Sequence, residues 1–241
     1  MPFTFSHPAI ILPLTYLLKR WISLTGLVIG SLTPDFEYFI RFKIQSNYSH
    51  TVSGLLWFDL PLGILLAFLF HNIIRDQLFI NLPASLKSRL ISFSNFNWNK
   101  YFWRNWTIVI FSILTGAFSH VLWDSFTHNH GYFVESISLL KSSIELFGIQ
   151  VPILKILQHA STILGGITIA YVLWKLPVEN TVSNGKELKF WTIASFIAIA
   201  IIMIRLLTGL SFLQYGNVIT SGISAGIISL IITSVISKRY L

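Results

Sequence analysis

Five stretches of this chain, at about residues 52–74, 107–128, 153–174, 190–210 and 217–236, are apolar almost throughout. A bilayer's hydrocarbon layer is about 30 Å thick and a helix rises about 1.5 Å per residue, so about 20 residues cross it. Each stretch is long enough. In lipid, every backbone N–H and C=O must be satisfied within the chain, so a spanning segment of this kind is a helix. The expectation is an all-α, polytopic integral membrane protein with five transmembrane helices. Composition agrees: 54% of the residues are hydrophobic and 11% are charged, against roughly 25% charged in soluble domains.

Residues 8–32 are also apolar, but Lys19, Arg20 and Trp21 interrupt them. Two pieces of about a dozen residues predict an N-terminal interfacial or re-entrant helical region, not a sixth span. No basic residue precedes the run and no small-residue cleavage site follows it, which predicts that the segment is retained in the mature protein. The whole of 1–241 is read as a single helical membrane domain. Within it, 1–51 is the N-terminal region, 52–174 holds the core spans, and 175–241 holds two C-terminal spans.

Five crossings place residues 33–51 on one side and the C-terminus on the other. The side holding the C-terminus receives ten basic residues: Arg75, Lys87, Arg89, Lys100, Arg104, Lys175, Lys186, Lys189, Lys238 and Arg239. The opposite side receives six: Lys19, Arg20, Arg41, Lys43, Lys141 and Lys155. The positive-inside rule then predicts a cytoplasmic C-terminus. A net charge of +8 placed at the ends of apolar runs fits anionic lipid, not nucleic acid. With no cysteine, the chain has no disulfide, thiolate metal site or cysteine nucleophile.

The same threading gathers the ligand-type residues. His120, Asp124 and His128 are spaced by four in "SHVLWDSFTH", so they climb one helix face with a drift of about 40° per step. His130 follows. His7, Asp35, His50 and His159 fall in the same leaflet, which the threading places outside. Two other polar residues invite structural readings: Asp59, one turn before Pro61, and His71, read as interfacial. A lone intramembrane histidine more often bonds a neighbouring helix than binds metal. A cluster of imidazoles and carboxylates is different. Neutral imidazole nitrogen and carboxylate oxygen are the donor set of zinc and similar divalent ions. Gly116, Ala117 and Ser119 beside the ladder allow another helix to approach closely. "GISAG" at 222–226 matches the G-x-S-x-G pattern, but it lies in an apolar helix, and Gly-x-x-x-Gly packing accounts for it. There is no H-E-x-x-H, no glycine-rich phosphate loop, and none of the histidine boxes of membrane desaturases.

The segments "MPFTFSHPA", "LTGLVIGSLTPDFEYF", "SHT", "FDLPLG" and "GAFSHVLWDSFTHNHG" resemble the bacterial domain-of-unknown-function 4184 membrane family. That resemblance runs from residue 1 to about residue 210. It implies a bacterial plasma or inner membrane. A more distant pattern is an early His, a Pro-Asp after an apolar helix, a further His, then H-x-x-x-D. It is similar to the zinc-dependent phospholipase C and P1 nuclease family and to inner-membrane metal-dependent hydrolases. This resemblance implies that Asp35, His50, His120 and Asp124 ligate one zinc ion. Asp124 would bridge to a second ion held partly by His7, with His128 or His130 serving another. The later H-x-x-x-E helix of the phospholipases has no counterpart here; His159 is the one later histidine. One or two ions are therefore expected, not three.

Together these readings predict a membrane-embedded, zinc-dependent hydrolase acting on a phosphoester or lipid-linked substrate at the outer leaflet. Asp35 and Asp124 are the catalytic acids and Glu37 is the nearest spare. A metal-ion transporter and a non-catalytic membrane protein with a structural metal are the alternatives. The inner halves of the spans carry few polar groups, which disfavours the transporter.

Overall fold

A computed structural model describes residues 3–18, 20–182 and 185–240. Lys19, one of the residues that interrupt 8–32, lies outside the described residues. In chain order the helices begin with α1 (Pro8–Leu17), α2 (Leu24–Leu32), α3 (Phe36–Arg41), α4 (Leu55–Asn81), α5 (Ala84–Leu90) and α6 (Trp98–Thr127). Short α7 (Tyr132–Ser136) and α8 (Ser138–Lys141) lead into a hairpin of β1 (Ser143–Leu146) and β2 (Ile149–Pro152). The chain then forms α9 (Ile153–Lys175), α10 (Glu187–Leu207) and α11 (Tyr215–Tyr240). Five of these, α4, α6, α9, α10 and α11, are long and apolar enough to cross a membrane. This is the span count the apolar runs predict. The N-terminal region forms two helices of ten and nine residues, both too short to span.

The spans are not uniform helices. In α4, π-helical turns occupy Leu55–Asp59 and Phe70–Ile74. The first lies directly before Pro61, whose missing N–H removes one rung of the helical ladder. Helix α6 begins at Trp98, ahead of its apolar run, and breaks at Asn105 (φ −131°, ψ 29°).

The contacts group into two compact units. Unit 1 comprises Met1–Pro34, Tyr48–Ile64 and Asn105–Val172. Its centre is the crossing of α2 with α6. A Cβ added at Gly30 would stand 2.2 Å from the Ile113 carbonyl oxygen, and one at Gly116 would stand 2.3 Å from that of Leu27. At Gly26 the nearest atom would be Ser112 Cβ, at 2.8 Å. The two backbones thus touch where side chains normally separate them. Ser112 Oγ also accepts the Ser23 N–H at 2.8 Å, and Leu27, Val109, Ile113 and Ala117 are completely buried around the crossing. The N-terminal turn is tied to α9. Phe3 N–H donates to Thr162 Oγ1 and the Ser6 hydroxyl to the Thr162 carbonyl, both at 3.0 Å. Gly165 leaves room for Ser6.

Unit 2 comprises Asp35–Asn47, Leu65–Arg104 and Leu173–Leu241. Here buried polar side chains close helix ends. Helix α3 ends on Phe42, at φ 54°. Its terminal carbonyls accept from α11 and α10: Phe39 from Ser224 at 2.7 Å, and Phe42 from Ser221 at 3.3 Å and from Arg205 at 3.4 Å. Arg89 donates to the Trp174 and Leu176 carbonyls at the end of α9, with its guanidinium 4.5 Å over the Trp174 ring. Arg75 donates to the Phe96 and Ser94 carbonyls and to His71 Nδ1. His71 is buried, with its ring stacked on Trp98 at 4.8 Å. A helix's last carbonyls have no partner within the helix, and in an apolar medium something must donate to them.

The 222–226 segment corrects one expectation. Added Cβ atoms at Gly222 and Gly226 would meet nothing within 4 Å, so these glycines do not mediate close packing. The packed residues of this stretch are Thr220, Ser221, Ser224 and Ala225. Ser224 donates to the Phe39 and Thr220 carbonyls and is no exposed nucleophile.

Gly30→Val and Gly116→Val place branched side chains against backbone that has no room to give. Each is expected to cost about 3 kcal/mol or more, read as a large drop in thermal unfolding temperature in detergent or nanodiscs. Gly222→Ala and Gly226→Ala, facing open space, should be neutral or stabilising.

Candidate metal centre

Helix α6 is the platform of the site. His120 and Asp124 stand on one face of its last turns and His128 follows its last residue, with His120 fully buried and Asp124 nearly so. The α2–α6 crossing sets His120's orientation. The Ser31 carbonyl lies 2.7 Å from His120 Nδ1. A carbonyl only accepts, so Nδ1 carries the proton and Nε2 presents a lone pair. His120 Nε2 is the nitrogen facing Asp124, 3.4 Å from Oδ2. His50 repeats the arrangement. Its Nδ1 is 3.0 Å from Ser49 Oγ and its Nε2 is 3.5 Å from Asp124 Oδ2. A tight turn holds His50: Gly54 N–H donates to Thr51 Oγ1, and a Cβ at Gly54 would fall 1.9 Å from the Tyr48 carbonyl oxygen.

The other oxygen of Asp124 faces two more imidazoles. His7 Nε2 is 3.6 Å and His128 Nδ1 3.5 Å from Oδ1. His7 starts α1 without capping it, and its ring lies flat on that of His120, with centroids 3.7 Å apart. His128 Nδ1 is also 3.1 Å from the Asp124 backbone carbonyl, which directs its proton there. Asp124 therefore has two imidazoles on each oxygen, at 3.4–3.6 Å in every case. Both oxygens are buried and neither accepts a hydrogen bond.

Asp35 is the first residue of unit 2. It closes the tight turn Thr33–Asp35 that continues α2, is completely buried, and makes no capping bond to α3. Asp35, His50, His120 and Asp124 each offer one ligand-type atom, and these four atoms lie within 4.8 Å of one another.

Two residues expected among the ligands are placed elsewhere. His130 has φ 66°, which turns the chain off the helix. Its side chain is 92% exposed and lies 3.6 Å from Glu135. His159 is exposed on α9. The face of α9 turned to the N-terminal segment carries Thr162 and Gly165, and the buried neighbour of His159 is Gln158. One residue of helix is 100° of rotation, enough to carry a side chain from one environment to another. Glu37, the expected spare acid, is committed within unit 2. It accepts from the Asn47 N–H and Arg41 Nε at 2.9 Å and from the Ser46 hydroxyl at 3.2 Å.

A family model described as a domain of unknown function, DUF4184, matches residues 1–235. The chain belongs to that family. No curated protein and no solved structure matches it. The early "FSHPA" and later "SHVLWD" segments of this DUF4184 chain meet in the cluster through the contact of His7 with His120 and Asp124.

The sequence reading missed the groups that aim the imidazoles: the Ser31 carbonyl, Ser49 and, behind His7, Thr162. A backbone acceptor leaves no residue-type signal. Gly26 and Gly30 do carry one, because Gly-x-x-x-Gly spacing marks the face that brings Ser31 to His120.

Glu37→Gln should lower thermal stability by about 1–3 kcal/mol, since buried donors lose a charged acceptor. Divalent-metal content by elemental analysis should stay at the parental level; a fall would place Glu37 in the centre instead.

Proposed function

We propose that this DUF4184 chain is a membrane-embedded, metal-dependent hydrolase of the phosphoesterase type, holding one or two zinc or similar divalent ions. The observation that carries the reading is the pairing at Asp124, each of whose oxygens faces two imidazole nitrogens at 3.4–3.6 Å. These distances are longer than a good hydrogen bond. They are close to the edge of a tetrahedron whose metal–ligand bonds are about 2.0–2.1 Å, an edge of about 3.3 Å. The donor set fits as well. His120 and His50 have Nδ1 engaged and Nε2 turned inward, the orientation that metal-ligating histidines adopt. A buried carboxylate among imidazoles is costly in an apolar medium unless a cation joins them.

On this reading Asp35, His50, His120 and Asp124 hold the first ion. Asp124 extends its other oxygen to a second position beside His7 and His128. Such an ion, when bound, lowers the pKa of its water and polarises a phosphoryl or carbonyl oxygen. Asp124 has both oxygens turned to imidazoles, which leaves Asp35 as the acid that orients water and takes its proton. The partly exposed ligands are His50 and His128, with side chains 20% and 30% exposed. Beside His50 stand the exposed rings of Tyr48 and Trp57, packed edge to face at 5.1 Å, with Leu56 and Val52 also exposed. A polar entrance bordered by aromatic and aliphatic surface suits an amphipathic substrate: a phosphoester or lipid-linked headgroup over the ions and an apolar tail along Trp57 and Leu56. The orientation that places this entrance outside rests on the positive-inside count.

Elemental analysis of purified protein is expected to find one or two equivalents of divalent metal in the parent and essentially none in His120→Ala. His7→Ala should keep the first ion and lose any second. With a chromogenic phosphodiester as probe, Asp124→Asn should fold yet lose hydrolysis by at least about a hundredfold, since changes merely adjoining ligands already cost 10–100-fold. A parent free of metal would overturn the reading. A metal-loaded parent that hydrolyses nothing, and unfolds when the metal is removed, would favour a structural metal.

A further inference from the structure

The connection between α6 and α9 contains the β-hairpin, whose two faces differ. The register pairs Ser143 with Pro152, Ile144 with Val151, Glu145 with Gln150 and Leu146 with Ile149. Directly paired residues share a face, and alternate residues along a strand return to it. One face therefore carries Ile144, Ile149 and Val151, and the other Ser143, Glu145 and Gln150. Two strands make the whole sheet among the described residues, so no further strand covers the apolar face. Ile144 is 42% and Ile149 67% exposed.

The tip sharpens the point. Phe147 and Gly148 have φ of 53° and 80°, the left-handed pair of a two-residue hairpin turn. Asn, Asp or Gly normally fills the first of these positions. Here a phenylalanine sits there, fully exposed. A bulky apolar residue in a backbone conformation it disfavours, aimed at nothing in the chain, is poorly suited to water.

The hairpin's base is fixed. Val134, Leu140 and Leu154 form a buried cluster with Phe126 and Phe133 packed on it. Phe126 and Phe133 stack at 4.0 Å, and the Ile153 N–H donates to the Ser142 carbonyl. Pro152 is bonded directly to Ile153, the first residue of a membrane span. Four residues of strand reach about 13 Å. A headgroup layer is about 5–8 Å deep on each side of the hydrocarbon. The arm is thus tethered at the bilayer surface and too short to leave it far behind. Its charged neighbours, the Lys141–Glu135 ion pair and His130, lie at the base, while the tip is apolar.

We propose that the hairpin 143–152 is a lipid-inserting arm: it lays Ile144, Phe147, Ile149 and Val151 into the bilayer interface and keeps Glu145 and Gln150 in water. It belongs to the same compact unit as His7, His50, His120 and Asp124, and it anchors that unit at the membrane surface whether or not the centre is catalytic. Continuity with two spans selects lipid over a second protein as the partner.

The chain has no cysteine, so single-cysteine variants of the full-length protein can be spin-labelled without background. Phe147→Cys, Ile149→Cys, Glu145→Cys and Gln150→Cys are exposed positions that should not disturb folding. In phosphatidylethanolamine–phosphatidylglycerol vesicles, labels at 147 and 149 should collide with oxygen several-fold more, relative to a water-soluble nickel complex, than labels at 145 and 150. Equal nickel access at all four positions overturns the proposal. So does protection at 147 and 149 that vanishes on dilution to one copy per vesicle, which would identify a second copy of the chain as the occupant.

Discussion

In unit 1, α2 crosses α6 backbone against backbone at Gly26, Gly30 and Gly116. The orientation of His120 follows from it. The crossing brings the Ser31 carbonyl to His120 Nδ1 at 2.7 Å, which fixes the proton on that nitrogen and turns the other toward Asp124. Between lipid-facing helices, water supplies no hydrophobic drive, so small residues and short polar contacts hold the interface. The Ser23 N–H on Ser112 Oγ is such a contact. One methyl group at Gly30 would push back the helix that aims the first imidazole.

The chain handles buried polarity in two different ways. In unit 2 the buried and half-buried cations have carbonyls to serve: Arg75 those of Ser94 and Phe96, Arg89 those of Trp174 and Leu176, Arg205 that of Phe42, and Lys87 that of Val182. These are helix and loop ends that lipid could not satisfy. Arginine suits the task because its fork reaches two acceptors at once. Several basic residues that read as orientation signals in the sequence are thus also structural donors. His71 joins this group, since it accepts from Arg75 and stacks on Trp98.

The five spans were legible because an apolar run of bilayer length has few alternatives. The ladder His120, Asp124, His128 was legible because helical spacing alone puts residues four apart on one face. Asp35 and His50 came from the order of motifs along the chain, and with His120 and Asp124 they are the four residues whose ligand-type atoms lie within 4.8 Å. The failures share a cause: periodicity gives a face but not its neighbour. His159 shares a helix with Thr162 and Gly165 yet is exposed. His130 follows the ladder by two residues, but its positive φ takes it off the helix axis. Gly222 and Gly226 have packing spacing on a face with nothing against it. The hairpin left a faint trace, the alternation around Ile144 and Glu145 and the glycine at 148, which two four-residue strands in a long connection make easy to pass over.

That contrast bears on how unit 1 should be read. Histidines of unit 1 join its elements with a nitrogen at hydrogen-bond length from a carbonyl or hydroxyl oxygen. Their outward nitrogens do behave this way: His120 Nδ1 meets Ser31, His50 Nδ1 meets Ser49, and His128 Nδ1 meets the Asp124 carbonyl. Nε2 of His7, His50 and His120 instead converges on the two oxygens of a single carboxylate, at 3.4–3.6 Å. Independent elements hold these nitrogens around one carboxylate. The elements here are the N-terminal turn tied to Thr162, the Gly54 turn, and α6 held by α2. Their agreement on one distance is the physical ground for placing a cation among them.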